Sequence, residues 1–539
     1  MTSLASPDEF QSSLDQVIFH ILNRQQSLDT LPTLPSPTSI QSTLSNLPTS
    51  LPAKGLGTSN TTSYLIDKVL PGILQAQNGP RYCGFVVGGV TPAAQLADIL
   101  STSYDENVQV NLHQQTASTA IEQRALELVL DLLDVKRSTF LGRTITTGAT
   151  ASNILGLACA RDHLLSQSPH LPSDYSWARD GPPSSPTLPS PPIVILSIHP
   201  HFSISKAASL VGLGGGPRVI QTVPSDPEDE LSFDLEELEE RLKVEKEVGR
   251  GVIICYGLGE VNTGGFGKGL DRIAELSTEY GAWLHVDGAF GGFAGLMPEL
   301  SEYTKHMNKA DSLTLDGHKW LNVPYDCGLF YTRHVFSLTN VFQPPSASAP
   351  AYLASNSTLT STPAPDDENT LEGTVLPADV PSPLFVNIEN SRRFRALPLL
   401  ASLLSLGKEG YADIIIRNIR FARSIARYID KSKYYKLLNP SPSYLSSDDG
   451  ETPIIPSNIV LFCPTAESPF SPSDLSSSVK LTKAINDTRK LYVSSTSWRG
   501  QGAIRMAISN YLTDKGRDLK IVLDVLDKIG KGETLEYEF

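Results

Sequence analysis

Four short apolar runs, PIVILSI, GVIICYGLG, AWLHVDG and DSLTLDG, constrain this chain more than any other feature: each has the length of a strand, and stretches of helical pattern lie between them. DLEELEERLKVEKEV and GLDRIAELSTEYG fill two of the gaps, and TAIEQRALELVLDLLDV and SNILGLACARDHLL precede the set. Runs that are mostly apolar, without an alternating polar face, belong to strands covered on both faces. Strand and helix alternating at this spacing predict an α/β fold with a mainly parallel sheet covered by helices. After residue 385 the pattern changes, with NSRRFRALPLLASLLSLG and YADIIIRNIRFARSIARYI helical and SNIVLFC and AIRMAISN strand-like. The expected division is a helix and tether over 1–75, a large domain over 76–385 and a smaller C-terminal α+β domain over 386–539.

Residues 29–53 are rich in Pro, Ser and Thr, and proline interrupts helices and central strands, so a tether without helix is expected there. Similar stretches at 168–192, 343–383 and 439–457 lie between well-patterned segments and read as loops inserted in one fold. No run nears the ~20 apolar residues of a spanning helix, and the first residues lack a basic segment leading into an unbroken apolar one. The expectation is a cytoplasmic protein with no membrane partner. Five scattered cysteines without C-x-x-C spacing read as free thiols in a reducing compartment. The net charge of -14, with no long basic cluster, argues against a nucleic-acid partner. The densest basic cluster, SRRFRAL, reads as a solvated or partner-facing helix end.

In parallel sheets ligands bind beyond the carboxyl ends of the strands, so the residues that follow each strand matter most. TTGATASN leads into a helix, and small hydroxyl-bearing residues at a helix N-terminus leave N–H groups free for an anion, although an ordinary N-cap fits as well. His201 follows a strand and opens a helix. Together with His199 it could suggest a metal pair, but no third ligand lies nearby, and no metal is expected. Gly212, Gly214, Gly215 and Gly216 imitate a dinucleotide loop, yet Pro217 follows instead of a helix, so they read as a turn. Asp287 ends an apolar strand, and a buried carboxylate must be paired or shift its pKa. The small residues after it, GAFGGFAG, leave room for something flat against the backbone. Lys319, in LTLDGHKW, would be a nucleophile for carbonyls if desolvation kept its amine neutral.

An anion cradle, a ring-sized slot with a carboxylate and a carbonyl-seeking lysine are together the requirements of pyridoxal 5'-phosphate. The ordered set TTGATASN, HPHFSISKAA, HVDGAFGGFAG and DSLTLDGHKWLNVPYDCG resembles the group II pyridoxal-phosphate-dependent amino-acid decarboxylases, which include aromatic-amino-acid, tyrosine, glutamate and diaminobutyrate enzymes. The resemblance implies the type I aminotransferase-like fold and a homodimer acting on a small amino-acid substrate. It makes Lys319 the Schiff-base lysine, His318 a phosphate contact, Asp287 the partner of the pyridine nitrogen, Ala289 a residue packed on the ring and His201 the residue stacked on its other face. Ala149, Thr150 and Ala151 fall on the family's phosphate loop, and Thr116, Ser118 and Thr119 fall on a segment lining the substrate pocket. In the family a loop tyrosine returns the proton to Cα, and the best match is Tyr352, 33 residues after Lys319 in a Pro/Ser/Ala-rich stretch with the composition of a flexible lid.

The chain departs from the family's pattern at Asp316 and Gly317, where many members have Asn and Pro, and at GLGEVNTGG, which replaces a threonine-rich turn. The implied reaction is decarboxylation of an L-amino acid to its amine and carbon dioxide, with an aromatic substrate favoured. The alternatives are an aldehyde synthase or carbon–carbon lyase using the same cofactor, a catalytically silent cofactor-binding protein, and a nucleotide-binding module that would leave Lys319 and Asp287 without a task.

Overall fold

The computed structural model describes residues 6–343, 372–440, 453–470 and 475–533, and these group into two compact units. One holds residues 90–416 and 440–457, the other residues 1–89, 417–439 and 458–539. Among the described residues no helix is long and apolar enough to cross a membrane.

The first unit is built on a seven-stranded sheet. Its strands are β1 (Gly142–Thr146), β2 (Ile193–Ser197), β3 (Ile220–Thr222), β6 (Gly251–Gly257), β7 (Trp283–Asp287), β8 (Ser312–Asp316) and β9 (Gly328–Thr332), while β4 (Ser225–Asp226) and β5 (Asp229–Phe233) form a separate antiparallel hairpin. The order across the sheet is β1-β9-β8-β7-β6-β2-β3. Only β9 runs against its neighbours, so β1, β2, β6, β7 and β8 all end on the same edge. The four apolar runs of the sequence are β2, β6, β7 and β8, and β7 and β8 are buried along their length except at Asp287.

The helix Ala149–Ser166 packs against the sheet with Leu155, Leu157, Ile193, Ile195, Ile253, Trp283 and Phe330 in one cluster. Burying each large aliphatic side chain there contributes about 1.5–3 kcal/mol. The helix Ser118–Leu132 carries the TAIEQRALELVLDLLDV pattern, and its Glu122 and Glu127 are buried. Arg143 of β1 and Arg137 lie 2.8 and 3.2 Å from Glu127, and Arg392 lies 3.1 Å from Glu122. The SRRFRAL cluster is therefore largely internal: Arg392 is buried, and Arg395 pairs with Asp326 at 2.9 Å and Glu389 at 2.8 Å.

The second unit contains the sheet β10 (Tyr435–Leu437), β11 (Ile459–Pro464), β12 (Ser494–Trp498) and β13 (Gln501–Ala507), antiparallel throughout in the order β10-β11-β13-β12. The first 89 residues belong to this unit rather than standing apart as a tether. Pro37–Asn46 is a helix, contrary to the expectation for 29–53, because Ser36 caps the N–H of Ser39 and Pro37 occupies the first helical position, where its missing N–H costs nothing. Thr33 donates to the Arg489 carbonyl at 2.7 Å, Arg81 pairs with buried Asp518 at 2.8 Å, and Tyr82 stacks on Tyr492 with centroids 4.3 Å apart. The two helical patterns after residue 395 run together as Ala396–Lys431, broken at Gly407, whose φ of 59° belongs to glycine's range. All five cysteines are free and buried.

Candidate active site

Because β1, β2, β6, β7 and β8 share a carboxyl edge, the residues that follow them converge on one cavity of about 330 Å³. Its walls are Thr147–Ala151 after β1, Ser197–His201 at the end of β2, Gly257–Val261 after β6, Asp287, Ala289 and Phe290 after β7, and Asp316, His318 and Lys319 from β8 and its turn. Each of Lys319, His318, Asp287, Ala289, His201, Ala149, Thr150 and Ala151 lies in that lining.

Asp316, the last residue of β8, is buried and organises one side. Its Oδ1 accepts the N–H of Ala149 at 2.7 Å, and its Oδ2 lies 3.1 Å from Lys319 Nζ and 3.5 Å from His318 Nε2. The carboxylate thus caps the helix Ala149–Ser166 and pairs with the lysine. His318 Nδ1 accepts the N–H of Cys327 at 3.4 Å, and burial is the largest influence on this imidazole, pushing its pKa below the ordinary value. Among the described residues no acceptor meets the first-turn N–H groups of Thr150 and Ala151, which remain for an anion.

On the other side Asp287 Oδ1 accepts the N–H of Ala289 at 3.2 Å, and its Oδ2 accepts Asn153 Nδ2 at 2.9 Å. His201 is the N-cap of the helix Phe202–Leu210, its Nδ1 accepting the N–H of Ser203 at 3.2 Å. The small residues after Asp287 serve a different purpose from the one expected. A Cβ on Gly291 would lie 1.9 Å from the Leu258 carbonyl, so this glycine allows the turn after β7 to close on the end of β6, and only Ala289 and Phe290 face the cavity.

Thr116, Ser118 and Thr119 are not among the residues lining the cavity. Thr119 is buried and donates to Asn111 Oδ1 at 2.7 Å, Thr116 donates to Glu106 at 2.7 Å, and the Ser118 N–H donates to Thr116 Oγ1. Tyr352 lies outside the described residues. Among the described residues no cluster of His, Cys, Asp or Glu is arranged to hold a metal. Sequence reasoning missed Asn153, Ser203 and His285: the first two sat inside the quoted motifs as ordinary helix residues, and His285 was hidden in an apolar strand.

Residues 44–444 match the family described as the pyridoxal-dependent decarboxylase conserved domain. The chain belongs to that family. Among curated relatives, an L-2,4-diaminobutyrate decarboxylase of Acinetobacter baumannii is 25% identical over 71% of this chain and 70% of its own, and a tryptophan decarboxylase of Camptotheca acuminata is 24% identical over 94% and 92%. A phenylacetaldehyde synthase of a Rosa hybrid cultivar is 24% identical over 96% and 92%. The crystal structure of Oryza sativa TDC with PLP and tryptamine superposes with a TM-score of 0.78 at 20% identity, covering 99% of both chains, which establishes the fold. The cofactor of this pyridoxal-dependent decarboxylase is pyridoxal phosphate. The cavity fits it, with open N–H groups at a helix N-terminus, an amine and a carboxylate at separate points of its lining.

Proposed function

We propose that this decarboxylase converts an L-amino acid, aromatic by preference, to the corresponding amine and carbon dioxide, with Lys319 as the lysine that carries the cofactor. In this reading the first turn of the helix Ala149–Ser166, through Ala149, Thr150 and Ala151, and His318 hold the phosphate. Asp287 faces the pyridine nitrogen, and Ala289 and His201 lie against the two faces of the ring. The observation that carries the reading is the convergence of Lys319, Asp287, His201 and that helix N-terminus, from four separate strand ends, on a single cavity. When bound, the cofactor supplies an electron sink for the pair left as the Cα–carboxylate bond breaks.

The residues' contribution is placement and charge. Asp287, oriented by two N–H donors, sets a fixed negative charge at one end of the slot, where a preorganised charge in a partly dry site is worth more than in water. Ala289 leaves space and His201 limits movement. A proton must then form the new Cα–H bond, and Tyr352 is the residue assigned to deliver it. The same reading takes the working form as a cytoplasmic homodimer.

The aromatic preference is supported by the tryptophan decarboxylase relative, whose match extends over nearly the whole chain. The similarly extensive match to a phenylacetaldehyde synthase favours a second reading, in which the amino acid, dioxygen and water give aldehyde, carbon dioxide, ammonia and hydrogen peroxide. A mass-spectrometric product assay distinguishes the two. Purified protein with added cofactor is offered each common L-amino acid and 2,4-diaminobutyrate, with Lys319→Ala as control. An amine absent from the control supports decarboxylation, aldehyde with peroxide moves the protein to the oxidative reading, and product in the control refutes the role of Lys319.

A further inference from the structure

Asp287, at the end of β7, and His201, at the start of the helix Phe202–Leu210, are joined by a run of hydrogen bonds through Asn153 whose middle members, Asn153 and Ser203, are buried while His201 is exposed. The donors and acceptors in this run have only one consistent direction. The backbone N–H of Ser203 donates to His201 Nδ1, so that nitrogen carries no hydrogen and the ring hydrogen sits on Nε2. Ser203 Oγ, 2.7 Å from the same nitrogen, must donate to it, which leaves its lone pairs to accept Asn153 Nδ2 at 3.1 Å. The second hydrogen of that amide goes to Asp287 Oδ2 at 2.9 Å.

With the amide's orientation settled, Asn153 Oδ1 accepts from His285 Nε2 at 3.0 Å. His285 is neutral, since burial pushes its pKa down to about 4, and its Nδ1 accepts Ser312 Oγ at 2.7 Å. Ser312 in turn accepts the indole N–H of Trp283 at 2.9 Å, a group that can only donate. Both ends are donors without an alternative role, and Asn153, His285 and Ser312 have no exposure while Ser203 has 1%. Reversing any link would leave a buried donor unmet, at a cost that keeps the run in this one arrangement.

We propose that Asn153 is a positioning residue whose single amide fixes the carboxylate of Asp287 and, by way of the Ser203 hydroxyl, a second hydrogen bond that orients the His201 ring, so that both contacts to the cofactor ring are set together. This rests on the reading that Asp287 and His201 hold that ring. Asn153 touches neither substrate nor reacting atoms; it acts through the two residues that do.

Asn153→Asp keeps the shape and replaces the amide donor with an oxygen facing Asp287 and Ser203. The titratable groups around that position are Asp287 and His285 from β7, His201 through Ser203, and Cys255 of β6, whose buried thiol stays protonated. In the holoenzyme at about pH 8, the Kd for pyridoxal phosphate, read by tryptophan quenching, is expected to rise about tenfold, with loss of the induced circular dichroism of the bound cofactor's visible band. As the pH falls to about 6 the added carboxyl takes up a proton and donates to Asp287 again, so both signals recover toward wild type. Should that variant not fold, Ser203→Ala decides, since it keeps the backbone N–H and removes only the hydroxyl; a Kd about threefold weaker with a reduced dichroic band per bound cofactor is expected. An unchanged Kd and band in either folded variant, or a loss in Asn153→Asp that does not recover at lower pH, overturns the proposal. Failure of the wild type to take up the cofactor at all would instead sink the reading beneath it, and the proposal with it.

Discussion

Acidification from pH 7 to pH 5 should weaken the fold through His285 in particular. The imidazole has no exposure, sits across from Cys255 and Ser312 in the sheet, and burial lowers its pKa to about 4 against an ordinary 6.5, with the Asp287 charge opposing in part. Between those two values the unfolded chain holds a proton that the folded chain refuses, so stability is full above about pH 6.5 and is lost as the pH falls toward 4. The loss is about 1.4 kcal/mol per pH unit, or about 2 kcal/mol between pH 7 and pH 5. His285→Gln removes the titration while retaining an amide donor for Asn153. It gives up the acceptor for Ser312, which costs about 1 kcal/mol at pH 7. Urea unfolding followed by tryptophan fluorescence reads mainly this unit, since three of the four tryptophans, Trp177, Trp283 and Trp320, lie within residues 90–416 and only Trp498 lies in the other. The variant should start less stable but lose about 2 kcal/mol less than wild type between pH 7 and pH 5. Equal losses in the two proteins would refute a neutral, buried His285 as the source of this pH dependence.

Tyr352→Phe should slow amine formation by at least about a hundredfold if its hydroxyl delivers the proton, as removing a general acid does; an unchanged rate and product in the mass-spectrometric assay would remove the residue from the mechanism. Gly156→Ala should destabilise by about 1–3 kcal/mol although alanine is the better helix former by about 1 kcal/mol, because its Cβ would sit 2.7 Å from His285 Cε1; the urea midpoint gives the sign. Arg392→Met should cost about 3–5 kcal/mol by leaving the Glu122 carboxylate buried without its cation, while adding Glu122→Leu should recover most of that loss in a double-mutant cycle of denaturation midpoints. Asp316→Asn should tighten the binding of inorganic phosphate about threefold or more by removing a negative charge beside the Ala149 N–H and Lys319; weaker binding in equilibrium titration would refute that ordering of effects.

The parallel sheet was legible because its central strands are short, mostly apolar runs, and the site was legible because chemistry-bearing residues stand at or just after their last positions. Asp287, Asp316 and the turn to Lys319 follow directly from that rule. What escaped the sequence depends on partners far along the chain. Glu122 and Glu127 look like the polar face of a helix until Arg143, Arg137 and Arg392 are brought to them. Gly291 reads as space for a ligand until the Leu258 carbonyl fills it. The helix Pro37–Asn46 had a local signal in Ser36 and Pro37, which the density of prolines around it obscured.

The division between what lines the cavity and what holds the lining has a consequence for the family. Asn153, His285 and Ser312 are sealed inside the sheet and its covering helix, where any change in size or polarity disturbs several bonds at once. Leu231, Val261 and Phe290, by contrast, line the same cavity without a hydrogen-bonding side chain, so their replacement alters its shape while leaving the run from Trp283 to His201 intact. A wall that can change over a support that cannot would let proteins of this family differ in substrate while holding the cofactor alike. On this argument substrate preference should be transferable between such proteins by exchanging apolar lining residues, whereas exchanging Asn153 should disturb cofactor binding whatever the substrate.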